Sequence, residues 1–204
     1  MPASTAKRRP RDEVIATVQR AVLELAERSP FTELTVEEIA HAGGISRTSF
    51  YFYFRSKRDL LLAAMDEVTE EIYQRADRLW RGEGAPEKRV QEAIEGAFGV
   101  YAKHAQLLGA AQEVAMYDEE VGRRWRETVA RFVDATAAHL RRERDAGRLR
   151  PIDVDAAAES LVFMMERCQY VYLSLERRPL EDVVETLSAI WLNSLYPDGS
   201  RSVD

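Results

Sequence analysis

Residues 42–58 read AGGISRTSFYFYFRSKR, and no other segment limits the folding of this chain as much. Two glycines separate two short helical patterns, and the second pattern holds five consecutive aromatic residues, Phe50 to Phe54. That arrangement, two short helices across a glycine turn, is a helix-turn-helix. At about 100° per residue, Phe50 and Phe54 lie one turn apart and define an inward face. Thr48, Ser49 and Phe52 then point away, with Arg47, Tyr51 and Tyr53 on the flanks. One reading puts all five aromatics in a core, but they span more of the wheel than so short a helix can bury. The other puts the outward set in a DNA major groove. There phenyl and methyl groups meet thymine methyls and arginine pairs with guanine edges, while hydroxyls of tyrosine and serine reach phosphates.

The surrounding sequence reads as helix almost throughout, with proline and glycine at the joints. Val14, Ile15, Val18, Ala21, Val22, Leu25 and Ala26 form one stripe over 12–28, closed by Ser29-Pro30. Thr35 and Glu38 have the spacing of a capping box, so a second helix starts there. Gly43 and Gly44 are expected to stop it through positive φ. Ser46 caps the third helix, with Ile45 and Phe50 spaced as a hydrophobic staple. Ser56 caps a fourth helix that runs to about residue 80, and a linker covers 81–85. Further helices are expected over 87–103, 106–116, 118–146 and 153–176, and a last one from Pro179 to a stop at Pro197. The domains implied are a disordered basic arm at 1–11, a DNA-binding unit at 12–58, a helical body at 59–197 and a disordered tail at 198–204.

Charge separates along the chain. Residues 1–58 hold ten basic and seven acidic residues, a balance of +3, so the remainder of a chain with net charge −6 carries −9. A basic head on an acidic body suits a protein that points one end at phosphates. The amino ends of the helices beginning at Thr35 and Ser56 add anion-binding N–H groups, and Lys57 and Arg58 beside the second suggest a phosphate clamp. The arm holding Lys7, Arg8, Arg9 and Arg11 either adds DNA contacts or is an unstructured tail. The single cysteine, Cys168, rules out an internal disulfide and fits a reducing cytoplasm. No secretory leader or membrane span is expected. His41, His104 and His139 stand apart without metal-ligand spacing, and no P-loop, G-x-G-x-x-G or G-x-S-x-G is present. The expectation is a non-enzyme without cofactor or metal.

Residues 12–62 resemble the amino-terminal domain of TetR-type repressors. The shared pattern is I-S-R-x-x-F-Y-x-Y-F followed by S-K-x-x-L-L, here Ile45, Ser46, Arg47, Phe50, Tyr51, Tyr53, Phe54, Ser56, Lys57, Leu60 and Leu61. The resemblance implies an all-α fold of about nine helices, a DNA-reading head on a ligand-binding, dimerising body. It implies DNA contacts by Thr35, Thr48, Tyr51, Tyr53 and Lys57, to which the wheel adds Ser46, Arg47, Ser49 and Phe52. Segments at 44–54, 143–147, 164–167 and 190–196 are similar to the EthR-type branch of that family.

The branch implies an elongated apolar cavity between the fourth and eighth helices. The matching positions are Phe98, Tyr101, Trp125, Val129, Phe132, Thr136, Val162, Met165, Glu166, Gln169 and Trp191; a filled core is the alternative. Members of the branch carry two asparagines on helix eight where this chain has Val162 and Met165. A polar anchor is left to Glu166, Gln169, Thr136 or Tyr101. Helix eight is apolar nearly all round, so one side calls for a second subunit. Tyr172, Leu180, Val183, Leu187, Ile190 and Ser194 are the expected contacts of a four-helix homodimer interface. The function implied is a regulator released from a palindromic DNA operator by a hydrophobic small-molecule inducer. The alternatives are a ligand-independent DNA-binding dimer under a partner protein, or a helical carrier or enzyme.

Overall fold

In the computed structural model the described residues are 10–81 and 84–197. They are helical and contain no strand. Residues 1–9 of the expected arm, 82–83 of the linker and the tail at 198–204 lie outside them, while Arg11, expected in the arm, opens the first helix. The helices are α1 (Arg11–Ala26), α2 (Val36–Ala42), α3 (Arg47–Tyr53), α4 (Lys57–Arg81), α5 (Pro86–Lys103), α6 (Ala105–Ala115), α7 (Glu119–Asp145), α8 (Val154–Cys168) and α9 (Leu180–Leu195).

The head closes around the stripe of α1. Val14, Val18, Val22 and Ala26 are buried with Phe31, Leu34, Ile39, Phe50 and Phe54. The capping box is present in both directions: Thr35 Oγ1 accepts from the Glu38 N–H, and the Thr35 N–H donates to the Glu38 carboxylate at 2.7 Å. The Thr35 hydroxyl and backbone hold that carboxyl below its usual range. At the glycine turn the two residues act differently, contrary to expectation. Only Gly44 has positive φ, at 67°. Gly43 caps α2 with ordinary right-handed backbone angles, and a Cβ there would stand 2.8 Å from Val18 Cγ2. Gly43 is therefore small so that the turn can lie against α1, and Gly44 supplies the bend.

The helix α4 leaves the head with Leu60, Leu61, Ala64 and Met65 buried and continues into the body, where it packs along α5 and crosses α7. The expected domain boundary at residue 58 falls at its first turn. The helices α7 and α8 pair, and α9 lies on α5. Pro86 occupies the first turn of α5, and Asp118 caps α7 through the N–H groups of Glu120 and Val121.

One long element departs from the expectation. The expected helix over 153–176 is α-helical only to Cys168, and Gln169–Leu175 is π-helical. The widened turns set Ser174 into the body, where its hydroxyl donates to the Ala105 carbonyl at 2.9 Å and its Cβ side meets Gly109. A side chain at residue 109 would have a Cβ 3.0 Å from Ser174 Cβ, so glycine there permits the approach. Single π-turns inside α-helices recur at functional sites.

Candidate functional site

The outer face of α3 carries Arg47, Thr48, Tyr51 and Phe52, all exposed, with Phe52 at 66% the most open aromatic of the head. Phe50 and Phe54 turn inward with ring centroids 5.4 Å apart. Ser49 and Tyr53 are half-buried. An exposed aromatic helix without a carboxylate offers apolar contact and hydroxyl donors at the edge of a duplex.

The neighbouring polar groups are more committed than their sequence positions suggest. Ser46 Oγ accepts from the Ser49 N–H at 3.0 Å, capping α3. The Thr35 hydroxyl donates to Glu38 at 2.7 Å. Lys57 Nζ donates to the Thr32 carbonyl at 2.9 Å and stands 4.7 Å from the centre of the Phe31 ring. That burial moves its pKa down. Arg58 turns from the head altogether: its guanidinium donates to Asp118 at 3.1 Å and pairs with Glu120 at 3.0 Å. Of the two residues expected to form a clamp at the start of α4, Lys57 stays beside the head and Arg58 does not.

The body holds a cavity of about 110 Å³. All eleven residues expected for it from the sequence line this one space: Phe98 and Tyr101 from α5, Trp125, Val129, Phe132 and Thr136 from α7, Val162, Met165 and Glu166 from α8, Gln169 and Trp191. Eight more belong to its wall: Thr69, Ile72, Ala76, Ala93, Ile94, Ala97, Leu108 and Thr128. Sequence reasoning missed Ala76, Ala93 and Ala97 because alanine on a helix reads as filler, and the other five because threonine, isoleucine and leucine on a helix read as ordinary core or surface. The signal available was the 93–97 pair, where two small residues one turn apart leave volume that larger side chains would fill.

Polar chemistry in this wall is sparse. Trp125 Nε1 donates to Glu166 Oε1 at 2.9 Å. The Trp191 N–H is buried and has no hydrogen-bond partner among the described residues. Tyr101, one of the expected polar anchors, keeps its hydroxyl for the protein. Gln112 Nε2 donates to it at 3.2 Å; because Ser174 already donates to Ala105, Tyr101 donates to Ser174 at 3.0 Å. Burial pushes its phenol pKa well up. Its ring faces the cavity wall, but its oxygen is occupied.

Two ion pairs bridge α4 and α7 beside Thr69, Thr128 and Phe132. Arg124 grips Asp66 with two bonds of 2.9 and 2.6 Å, and Arg131 donates to Glu70 at 2.6 Å while stacking on Tyr73. Both pairs are partly exposed and contribute little stability.

The expected dimer contacts divide. Val183 and Leu187 are 3% and 1% exposed within the single chain, because α9 turns them toward α5. They cannot touch a partner directly. The outward side of α9 is Thr186, Ala189, Ile190 and Asn193, with Ser194 donating to its own helix at Ile190. Tyr172 is half-buried under the Arg178 guanidinium, and Leu180 is half-buried. Phe163 and Leu175 add exposed apolar surface on the α8 side.

His104 and His139 are buried and His41 is exposed. Among the described residues no group of His, Cys, Asp or Glu could hold a metal, and no helix is long and apolar enough to cross a membrane. Burial raises the Cys168 thiol pKa, which lowers its reactivity.

Comparison with known proteins matches two family models. Residues 20–64 match the bacterial regulatory proteins of the tetR family, and residues 90–197 match the C-terminal domain of the transcriptional regulator EthR. The chain is 34% identical over 188 residues to the HTH-type transcriptional regulator EthR of Mycolicibacterium smegmatis, covering 90% of this chain and 84% of that protein. It is 28% identical to EthR of Mycobacterium tuberculosis over 90% of this chain and 85% of that one. Among solved structures, a putative transcriptional regulator from Saccharomonospora viridis in complex with choline superposes with a TM-score of 0.78 at 16% identity, over 91% of this chain and 99% of that one.

Proposed function

The chain belongs to the TetR family of helix-turn-helix transcriptional regulators, in its EthR branch, and from that premise we propose that it is a repressor released from its operator by a small molecule held in the body cavity. It is a DNA-binding regulator rather than an enzyme, as its relatives are. One observation carries the finer reading: a single helix, α4, joins the two candidate sites. Its first turn presents Lys57 beside the head, and Thr69, Ile72 and Ala76 farther along it form one wall of the cavity.

The head, with Arg47, Thr48, Ser49, Tyr51, Phe52 and Tyr53 on α3 and Thr35, Ser46 and Lys57 at helix starts, is assigned to the major groove and its flanking phosphates. Residues 59–197 are assigned to ligand binding and dimerisation. A homodimer through the outer sides of α8 and α9 would set two heads on a palindrome with half-sites about 34–36 Å apart or a multiple of that. A molecule seated among Phe98, Trp125, Phe132 and Met165 displaces α4 from α7 and changes the separation of the heads. A ligand that prefers the spread state a hundredfold shifts the equilibrium by about 2.7 kcal/mol. The cavity is what favours this reading over control by a partner protein, which needs no interior space.

The test is to select bound DNA from a random library with the full chain and then titrate the selected operator complex with apolar compounds. The reading expects a two-fold symmetric site and release by compounds that also quench Trp125. Compounds that fill the cavity and leave operator occupancy unchanged would refute it.

A further inference from the structure

The wall of the cavity contains one charged side chain, and it is unbalanced. Of the nineteen residues around the space, none is Lys, Arg, His or Asp, and Glu166 is the only carboxylate. Glu166 Oε1 accepts a hydrogen bond from Trp125 Nε1, a neutral donor. Among the described residues no cation pairs with Glu166. The cations nearby are engaged elsewhere: Arg167, its neighbour in sequence, lies over the Tyr170 ring at 5.2 Å, Arg124 is on Asp66 and Arg131 is on Glu70. The neutral polar groups of the wall, on Thr69, Thr128, Thr136 and Gln169, cannot supply a positive charge.

Glu166 is half-buried, and its carboxylate meets the apolar wall with one indole N–H as its bonded donor among the described residues; a ligand that covers it removes the remaining water and must replace it. The rest of the wall is aromatic where it is not aliphatic, with Phe98, Tyr101, Trp125, Phe132 and Trp191 around the space. Ring faces attract cations, tryptophan most strongly. A carboxylate and five aromatic rings around one space therefore select the same thing: a positive head on an apolar body.

We propose that the ligand of this cavity is an organic cation, an amine or quaternary ammonium with a compact alkyl or aryl body, its charged head beside Glu166 and Trp125 and its body among Phe98, Phe132 and Met165. The proposal rests on the reading that this cavity is the ligand site, and it narrows the inducer from any apolar molecule to a cationic one. A neutral inducer would leave the Glu166 charge uncompensated.

The experiment compares n-alkyltrimethylammonium ions of four to ten carbons with primary alcohols of matched length, by calorimetry and tryptophan fluorescence on the full-length protein. The wild type is expected to bind the ammonium series at least tenfold more tightly than the alcohols. Glu166→Gln is expected to remove that preference while alcohol affinity stays within about twofold. Trp125→Phe keeps the carboxylate and an aromatic ring but loses the indole, and should narrow the preference without abolishing it. Thermal melting confirms that both variants fold; should Glu166→Gln not fold, the wild-type ratio decides alone. Equal or weaker binding of the ammonium ions, binding of neither series, or a preference that survives Glu166→Gln overturns the proposal. The operator complex separates the two readings. Alcohols that bind tightly and release DNA would leave the ligand-released repressor standing without its cation. Ammonium ions that bind through Glu166 and leave DNA bound would do the reverse.

Discussion

Arg58 at the first turn of α4 donates to Asp118, the residue that caps α7, at 3.1 Å. This pair joins the helix that leaves the head to the helix that lines the cavity with Trp125, Thr128, Val129, Phe132 and Thr136. Lys57, one residue earlier, is turned the other way, onto the Thr32 carbonyl. The start of α4 is thus held on both sides, and on the reading proposed above a shift of α7 would reach the head through Arg58. Arg58→Ala is expected to leave the fold and ligand-free operator affinity nearly unchanged. The coupling should fall, so that Arg58→Ala and the cavity-filling Val129→Trp are strongly non-additive in a double-mutant cycle on operator affinity.

On α3, burial and DNA contact fall on opposite faces and can be separated by mutation. Phe50→Ala should cost about 3–5 kcal/mol in urea unfolding, since the ring is fully buried. Thr48→Ala and Phe52→Ala should leave stability within about 0.5 kcal/mol and relax base preference at one operator position each. Tyr51→Ala and Lys57→Ala should weaken binding to all sequences, and Lys57→Ala should lower the salt slope by about one. A Lys57 variant with unchanged slope would remove it from the phosphate contacts.

Assembly is testable on the outer faces of α8 and α9. Phe163→Glu and Ile190→Asp should convert a micromolar dimer into a folded monomer in analytical ultracentrifugation, because both residues are exposed in the single chain. Leu187→Ala should instead destabilise the subunit by about 2–5 kcal/mol through a core cavity.

Much of this architecture was legible in the sequence. Caps at Thr35, Ser46 and Asp118 and the stripe of α1 are local signals, so the helices begin close to where they were expected. Three features were not legible, for different reasons. Helix α9 is apolar on two sides, and periodicity alone does not say which side the subunit covers; the buried side is that of Val183 and Leu187. QYVYLSL has the same hydrophobic pattern in α or π geometry, and the choice goes with a contact to Ala105, 69 residues away in sequence. The partner of Lys57, a carbonyl 25 residues earlier, carries no side-chain signature. The cavity ring came from family resemblance, since aromatic spacing fits a filled core equally well.

A buried cluster predicts acid sensitivity. His139 is buried beside Glu143, which pairs with Arg89 and Arg148 and lies near the Tyr196 hydroxyl. Burial lowers the His139 pKa to about 4; Glu143 opposes that shift, and Arg89, Arg142 and Arg148 reinforce it. The unfolded chain, titrating near 6.5, binds this proton first as pH falls, so stability rises with pH between about 4 and 6.5. The lowered pKa of Glu143 acts in the same direction, below the usual carboxylate value. Urea midpoints should fall steadily from pH 7 to 4.5, and His139→Gln should flatten that slope. A midpoint independent of pH over this range would contradict the assignment.

The central claim, that filling the cavity and holding the operator exclude one another, is tested most directly by filling the cavity with protein. Ala97→Phe and Val129→Trp enter it from two different helices, α5 and α7. Operator affinity measured at fixed salt, with folding confirmed by melting, is expected to fall at least tenfold in both variants while nonspecific DNA affinity holds. Wild-type operator affinity in both variants, with the cavity shown to be filled by loss of ligand binding, would contradict the account.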